Sequence, residues 1–85
     1  MGFAYLDKYK MLHVVDEKRL ADQYTSGKVV TTSLPNNAGY FTDSNGNHIR
    51  IDVDDKSYRI GKTHITEKEF IQKFPEINKV IQQLV

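Results

Sequence analysis

Eighty-five residues leave room for one domain, residues 1–85, and a chain this short buries too little surface to have a wide stability margin. Twelve Lys and Arg against eleven Asp and Glu give a net charge of +1, and neither half of the sequence holds a basic excess of the kind that marks a nucleic-acid-binding tail. The lack of cysteine excludes a disulfide-stapled secreted domain and any thiolate zinc site.

The N-terminus has no charged lead, and no apolar run approaches the length of a membrane span. A cytoplasmic protein with no membrane contact is expected. Gly2 does not open a myristoylation signal, because Leu6 stands where Ser or Thr is needed.

Residues 3–6 and 11–15 are apolar runs around Asp7-Lys8-Tyr9-Lys10. A turn centred on Lys8 and Tyr9 predicts a hairpin with Leu6 opposite Met11 and Asp7 opposite Lys10. Asp16 as N-cap and Gly27 as stop then predict a helix over about 17–25, with Leu20, Ala21 and Tyr24 buried. Residues 28–34 are rich in β-branched side chains and end at Pro35, which reads as a third strand. Residues 35–39 read as the loosest loop.

Asn45-Gly46 is a two-residue hairpin signal, pairing Thr42 with Ile49 and Tyr40 with Ile51. Residues 48–53 alternate polar and apolar, as a strand with one wet face does. A turn at Asp55-Lys56 would pair Val53 with Tyr58, Asp52 with Arg59 and Ile51 with Ile60. The register in which Arg50 faces Arg59 is disfavoured by like charge. A three-stranded meander over about 39–61 follows, with residues 62–65 as an extension.

Thr66 and Glu69 form a capping box. Phe70, Ile71, Phe74, Ile77, Val80, Ile81 and Leu84 then fall on one helical stripe, broken by Pro75, so that a second helix starts there. The predicted fold is α+β: an N-terminal hairpin, one further strand and a meander, covered by a short helix and a broken C-terminal helix.

Candidate sites are few. Asp43, Asn45, Asn47, Ile49 and Asp54 occupy positions of a calcium loop, but His48 replaces its glycine and the flanks read as strands. His13, His48 and His64 lie on separate strands and would have to converge to hold a metal. Asp52, Asp54 and Asp55 cluster near a turn, where acidic residues are ordinary. No nucleophile motif, glycine-rich phosphate loop or P-loop is present, which points away from an enzyme and implies no cofactor.

Two binding surfaces remain. Ile77, Ile81 and Leu84 on the C-terminal stripe would dock a protein partner or a second copy of the chain, unless they cover the sheet. Arg50, Arg59 and Phe41 would share the wet face of the meander and bind single-stranded nucleic acid.

Gly2-Phe-Ala-Tyr-Leu-Asp7, Leu12-His-Val-Val-Asp16 and Lys28-Val-Val30 resemble segments of a group of short uncharacterised proteins from Gram-positive Firmicutes. The resemblance implies a bacterial cytoplasmic protein and carries no activity, cofactor or catalytic residue. The leading expectation is a small non-enzymatic protein-binding or regulatory module, with a nucleic-acid binder and an ion-binding protein as alternatives.

Overall fold

The computed structural model describes residues 2–53 and 57–85. In chain order these form β1 (Gly2–Leu6), β2 (Leu12–Val15), α1 (Lys18–Tyr24), β3 (Val29–Thr32), β4 (Tyr40–Thr42), β5 (His48–Asp52), β6 (Ser57–Ile60), β7 (Thr63–Ile65), α2 (Glu67–Lys73) and α3 (Pro75–Leu84). The strands make two antiparallel sheets, β2-β1-β3 and the meander β4-β5-β6-β7. This is the predicted α+β architecture, with residues 63–65 added to the meander as a fourth strand.

The first hairpin pairs Leu6 with Leu12 and Phe3 with Val15, one residue away from the expected Leu6–Met11 register. Its loop closes through Lys10 at φ 63°. The Asp7 carboxylate holds the loop, accepting from the Tyr9 and Met11 backbone N–H groups at 2.8 and 3.0 Å. A turn followed by one left-handed residue is a common hairpin connection, and an Asx side chain stands in for a backbone turn bond.

The meander begins with the same device. Asp43 Oδ1 accepts from the Asn45 and Asn47 N–H groups, both at 2.9 Å, and the left-handed position is Gly46 at φ 81°. Residues 44–46 therefore form the loop, and the pairs are Tyr40–Arg50, Phe41–Ile49 and Thr42–His48. This corrects the two-residue turn expected from Asn45-Gly46. Because side chains alternate faces, the slip of one residue turns Phe41 inward and Tyr40 outward.

The β5–β6 register is the one that charge disfavours: Arg50 faces Arg59, Ile49 faces Ile60 and Ile51 faces Tyr58. The expected Asp52–Arg59 register would have set Ile49 across from Lys62. Setting Ile49 against Ile60 in place of Lys62 outweighs a like-charge penalty of a few tenths of a kcal/mol on a wet face. The expected turn at Asp55-Lys56 lies outside the described residues.

Helix α1 is capped by Glu17, with no side-chain bond, and not by Asp16, which accepts instead from Asn36 Nδ2 at 2.7 Å. Ala21 is buried, Leu20 is half-buried, and Tyr24 is exposed where burial was expected. The loop before β4 is anchored at its end, since Ala38 and Gly39 are buried.

Thr66 caps α2 as expected, with Glu69 N–H donating to its hydroxyl at 3.0 Å. Phe74 leaves helical geometry (φ −130°, ψ 60°) and Pro75 starts α3. The break lets one helical segment serve two sheets: α2 packs on β6, and α3 on β1 and β3. Helix α1 packs on all three strands of the first sheet.

A single cluster fills the space between. It joins Ala4, Leu6, Leu12 and Val14 of the first sheet to Ile49, Ile51 and Tyr58 of the second, and to Phe70, Ile77, Val80, Ile81 and Leu84 of the helices. Phe70 is wholly buried and stacks on Tyr58, with centroids 4.0 Å apart and planes within 8°. The sheets touch at a Met11–Asp52 bridge. Next to Met11, at the start of β2, a Cβ on Gly39 would overlap the Leu12 carbonyl oxygen. Among the described residues no helix is long and apolar enough to cross a membrane.

Candidate functional site

The C-terminal stripe packs as core in this chain. Ile77, Ile81 and Leu84 are 8%, 3% and 8% exposed and belong to the core, so the partner-binding role expected of them has no accessible side chain to act through. The residue of the stripe that is left outside is Ile71. The stripe covers the sheets because their apolar faces need a shield.

The large exposed side chains gather elsewhere. Tyr9, Tyr24 and Tyr40 are 68%, 57% and 66% exposed, and all three rim two clefts that adjoin at Asp7 and His13. The first cleft, about 570 Å³, lies between the start of β2 and strand β4. Met11, Leu12, Phe41 and Ile49 give it an apolar floor, and Tyr40, His48 and Arg50 its rim. The second, about 410 Å³, runs between the first hairpin and the end of α1, bounded by Tyr5, Tyr9, Tyr24 and Ser26.

At the junction His13 Nε2 lies 2.7 Å from Asp7 Oδ2, and the imidazole stacks on Tyr5 at 5.1 Å. Burial pushes the Asp7 carboxyl up. The hydrogen bonds from His13 and from the Met11 and Tyr9 N–H groups outweigh it, and hold the group below its ordinary 3.8. Burial pushes the Tyr5 phenol up, with the charge of Asp7 and then Tyr24 adding to it.

A carboxylate–imidazole pair resembles part of a nucleophile-activating relay. Here the adjacent hydroxyl is committed otherwise, since Ser26 Oγ donates to the Leu6 and Asp7 carbonyl oxygens, each at 3.1 Å. The pair therefore acts as the brace of the hairpin turn and orients an imidazole at the mouth of both clefts.

This brace has a pH signature. A carboxyl with a depressed folded pKa adds stability above its unfolded value, and loses it as pH falls through the folded one. The protein should therefore hold its stability down to about pH 4 and lose it below. Replacing Asp7 by Ala should cost about 2 kcal/mol at neutral pH and flatten that acid limb. Urea melts between about pH 3 and 7 check this; an unchanged acid limb would show that Asp7 does not brace the fold.

The outer face of the meander carries the other candidates. Tyr40, Arg50, Arg59 and His64 are successive cross-strand partners, and so stand in one row over four strands. Phe41, expected beside the arginines, is on the opposite face, edge-on to Phe74 at 5.7 Å. Sequence reasoning missed Tyr40. Its signal was present in Asp43, whose side chain selects the three-residue loop and hence the face.

The histidines do not converge. His13 meets Asp7, His48 lies 3.4 Å from Thr42 Oγ1, and His64 lies 3.4 Å from Ser57 Oγ. Asp43 of the calcium-like stretch is held below its ordinary value by the Asn47 N–H, against slight burial, and by Asn45, the Asn47 side chain and the charge of Lys73. It serves a turn, as Asp7 does; Asp54 and Asp55 lie outside the described residues. Among the described residues no group of three or more His, Asp or Glu is disposed to hold a metal ion.

Comparison of the chain with protein families, with curated proteins and with solved structures finds no match.

Proposed function

We propose that the protein is a non-enzymatic protein-binding module, and that its docking surface is the pair of clefts rimmed by Tyr9, Tyr24 and Tyr40. The observation that carries this is the placement of those three exposed rings around two adjoining clefts, while the other large aromatics are buried or half-buried. Tyrosine brings a wide contact area at low entropic cost, and is enriched among the residues that dominate binding energy.

The apolar floor of the first cleft suits an aliphatic or aromatic anchor from the partner. The hydroxyl and imidazole groups of the rim suit the polar contacts that fix its orientation. No part of this reading uses catalysis.

The test is capture from nuclease-treated lysate with three baits: wild type, Tyr9→Ala/Tyr24→Ala/Tyr40→Ala, and Ile71→Ala. A protein held by the wild type and by Ile71→Ala, but lost from the tyrosine variant, is the expected result. A ring acting as a binding hot spot contributes about 2 kcal/mol or more, roughly 30-fold in affinity. Equal capture by all three baits would move the docking surface elsewhere, and capture of nothing would remove the proposal.

A further inference from the structure

The row on the outer face of the meander shares Tyr40 and Arg50 with the rim of the first cleft but extends beyond it, since Arg59 and His64 line neither cleft. Register places Arg50 directly opposite Arg59, with Tyr40 before them and His64 after. Arg50, His64 and Tyr40 are exposed and Arg59 is half-exposed. Among the described residues neither arginine makes an ion pair.

Two like charges held opposite each other on adjacent strands repel. The inward pairs Ile49–Ile60 and Ile51–Tyr58 fix this register, but they do not dictate what stands at 50 and 59 on the other face. An alternating strand would accept Thr, Gln or Glu at either position without touching the core. Two guanidinium groups there form a fork of donors, and an oxyanion placed between them turns the repulsion into attraction.

The remainder of the row narrows the anion. Tyr40 offers a freely accessible ring at the end beyond Arg50; of the neighbouring outward positions Thr42, His48 and Ser57 are neutral donors or acceptors, and Asp52, opposite Ser57, is the acidic one. Three inter-strand spacings make the row roughly 14 Å long. Stacking ring, guanidinium pair and imidazole in that order match an unpaired base followed by backbone phosphate, the combination by which small sheets hold single strands. An acidic peptide would use the arginines and leave the ring without a role.

We propose that the row Tyr40–Arg50–Arg59–His64 binds single-stranded nucleic acid, with Arg50 and Arg59 on backbone phosphate and Tyr40 against a base. The site is small and its binding weak, in keeping with a net charge of only +1.

Fluorescence anisotropy of a short labelled single-stranded oligonucleotide, over about 50 to 200 mM salt, reads each part separately. Arg50→Gln/Arg59→Gln should weaken binding at least about tenfold at the lowest salt. It should also reduce the salt slope by roughly 1.4, which is about 0.7 for each phosphate that is no longer neutralised. Its melting temperature should equal or exceed that of the wild type, because a repulsion is removed.

Tyr40→Ala should weaken binding roughly 5- to 150-fold with the slope unchanged. Arg50→Lys/Arg59→Lys keeps the charge and should keep most of the slope, so a misfolded glutamine variant would not leave the outcome open. Lys18→Gln/Arg19→Gln on α1 should bind as the wild type does. Absence of salt-dependent binding, or an unchanged slope in Arg50→Gln/Arg59→Gln, would overturn the proposal. A polyglutamate peptide binding more tightly than the oligonucleotide would overturn it as well, and assign the row to an acidic protein segment.

Discussion

Replacing Phe70 by Ala is expected to cost about 3–5 kcal/mol, enough to leave a chain of this size largely unfolded at room temperature. The ring is wholly buried, stacked face to face on Tyr58 and tilted against Phe74. It therefore links α2, the second sheet and the start of α3. Removing it opens a cavity at the point where three elements meet, and none of them can close it without drawing away from another. Phe70→Leu keeps most of the volume and should cost about 1–1.5 kcal/mol. Urea unfolding followed by far-ultraviolet circular dichroism checks both. A destabilisation under about 1 kcal/mol for the alanine variant would mean that the ring is not the keystone of this core.

The second large effect is expected at Gly39. A methyl group there would collide with the Leu12 carbonyl oxygen and carbon, and neither is the movable end of a side chain. The backbone itself has to part, next to the Met11–Asp52 bridge that joins the two sheets. Gly39→Ala should cost about 3 kcal/mol. Gly27→Ala, where the added carbon meets nothing within 4 Å, should be neutral or stabilising by up to about 1 kcal/mol. Thermal melts of the two variants side by side give the comparison. Similar melting temperatures would show that the sheets do not depend on this close approach.

How much of the fold is legible in the residues depends on which force decides each feature. The capping box at Thr66–Glu69, the break at Phe74 and the restart at Pro75 follow from local backbone chemistry, and all three are visible as residue types at fixed offsets. Strand existence is likewise local, since alternation over residues 48–53 needs no partner to be seen. Register is not. Lys10 adopts a left-handed conformation with no glycine to announce it. Asn45-Gly46 fits either a two-residue turn or the end of a three-residue one.

The discriminating groups are Asp7 and Asp43, two residues ahead of Tyr9 and Asn45, whose carboxylates accept the turn's own N–H groups. Between β5 and β6 the visible charges point the wrong way. Burial of Ile49 against Ile60 weighs more than repulsion between two solvated arginines. The candidate site follows the register. Arg50 and Arg59 are identifiable as outward residues in either alignment, whereas the aromatic beside them changes from Phe41 to Tyr40 with the slip of one position. The tyrosine-rimmed clefts are not visible at all, because they bring together a hairpin loop, the end of α1 and β4.

The position of α3 also bears on how the chain acquires its structure. The two sheets are assembled from segments close in sequence, residues 2–32 and 40–65, while α3 at residues 75–84 returns to pack on β1 and β3. Contacts over such a separation form late, after the closure entropy of the intervening chain has been met. During synthesis the apolar face made by Ala4, Leu6, Leu12 and Val14 is complete before its cover exists. It stays open to solvent and to other nascent chains until residues 75–84 clear the ribosome.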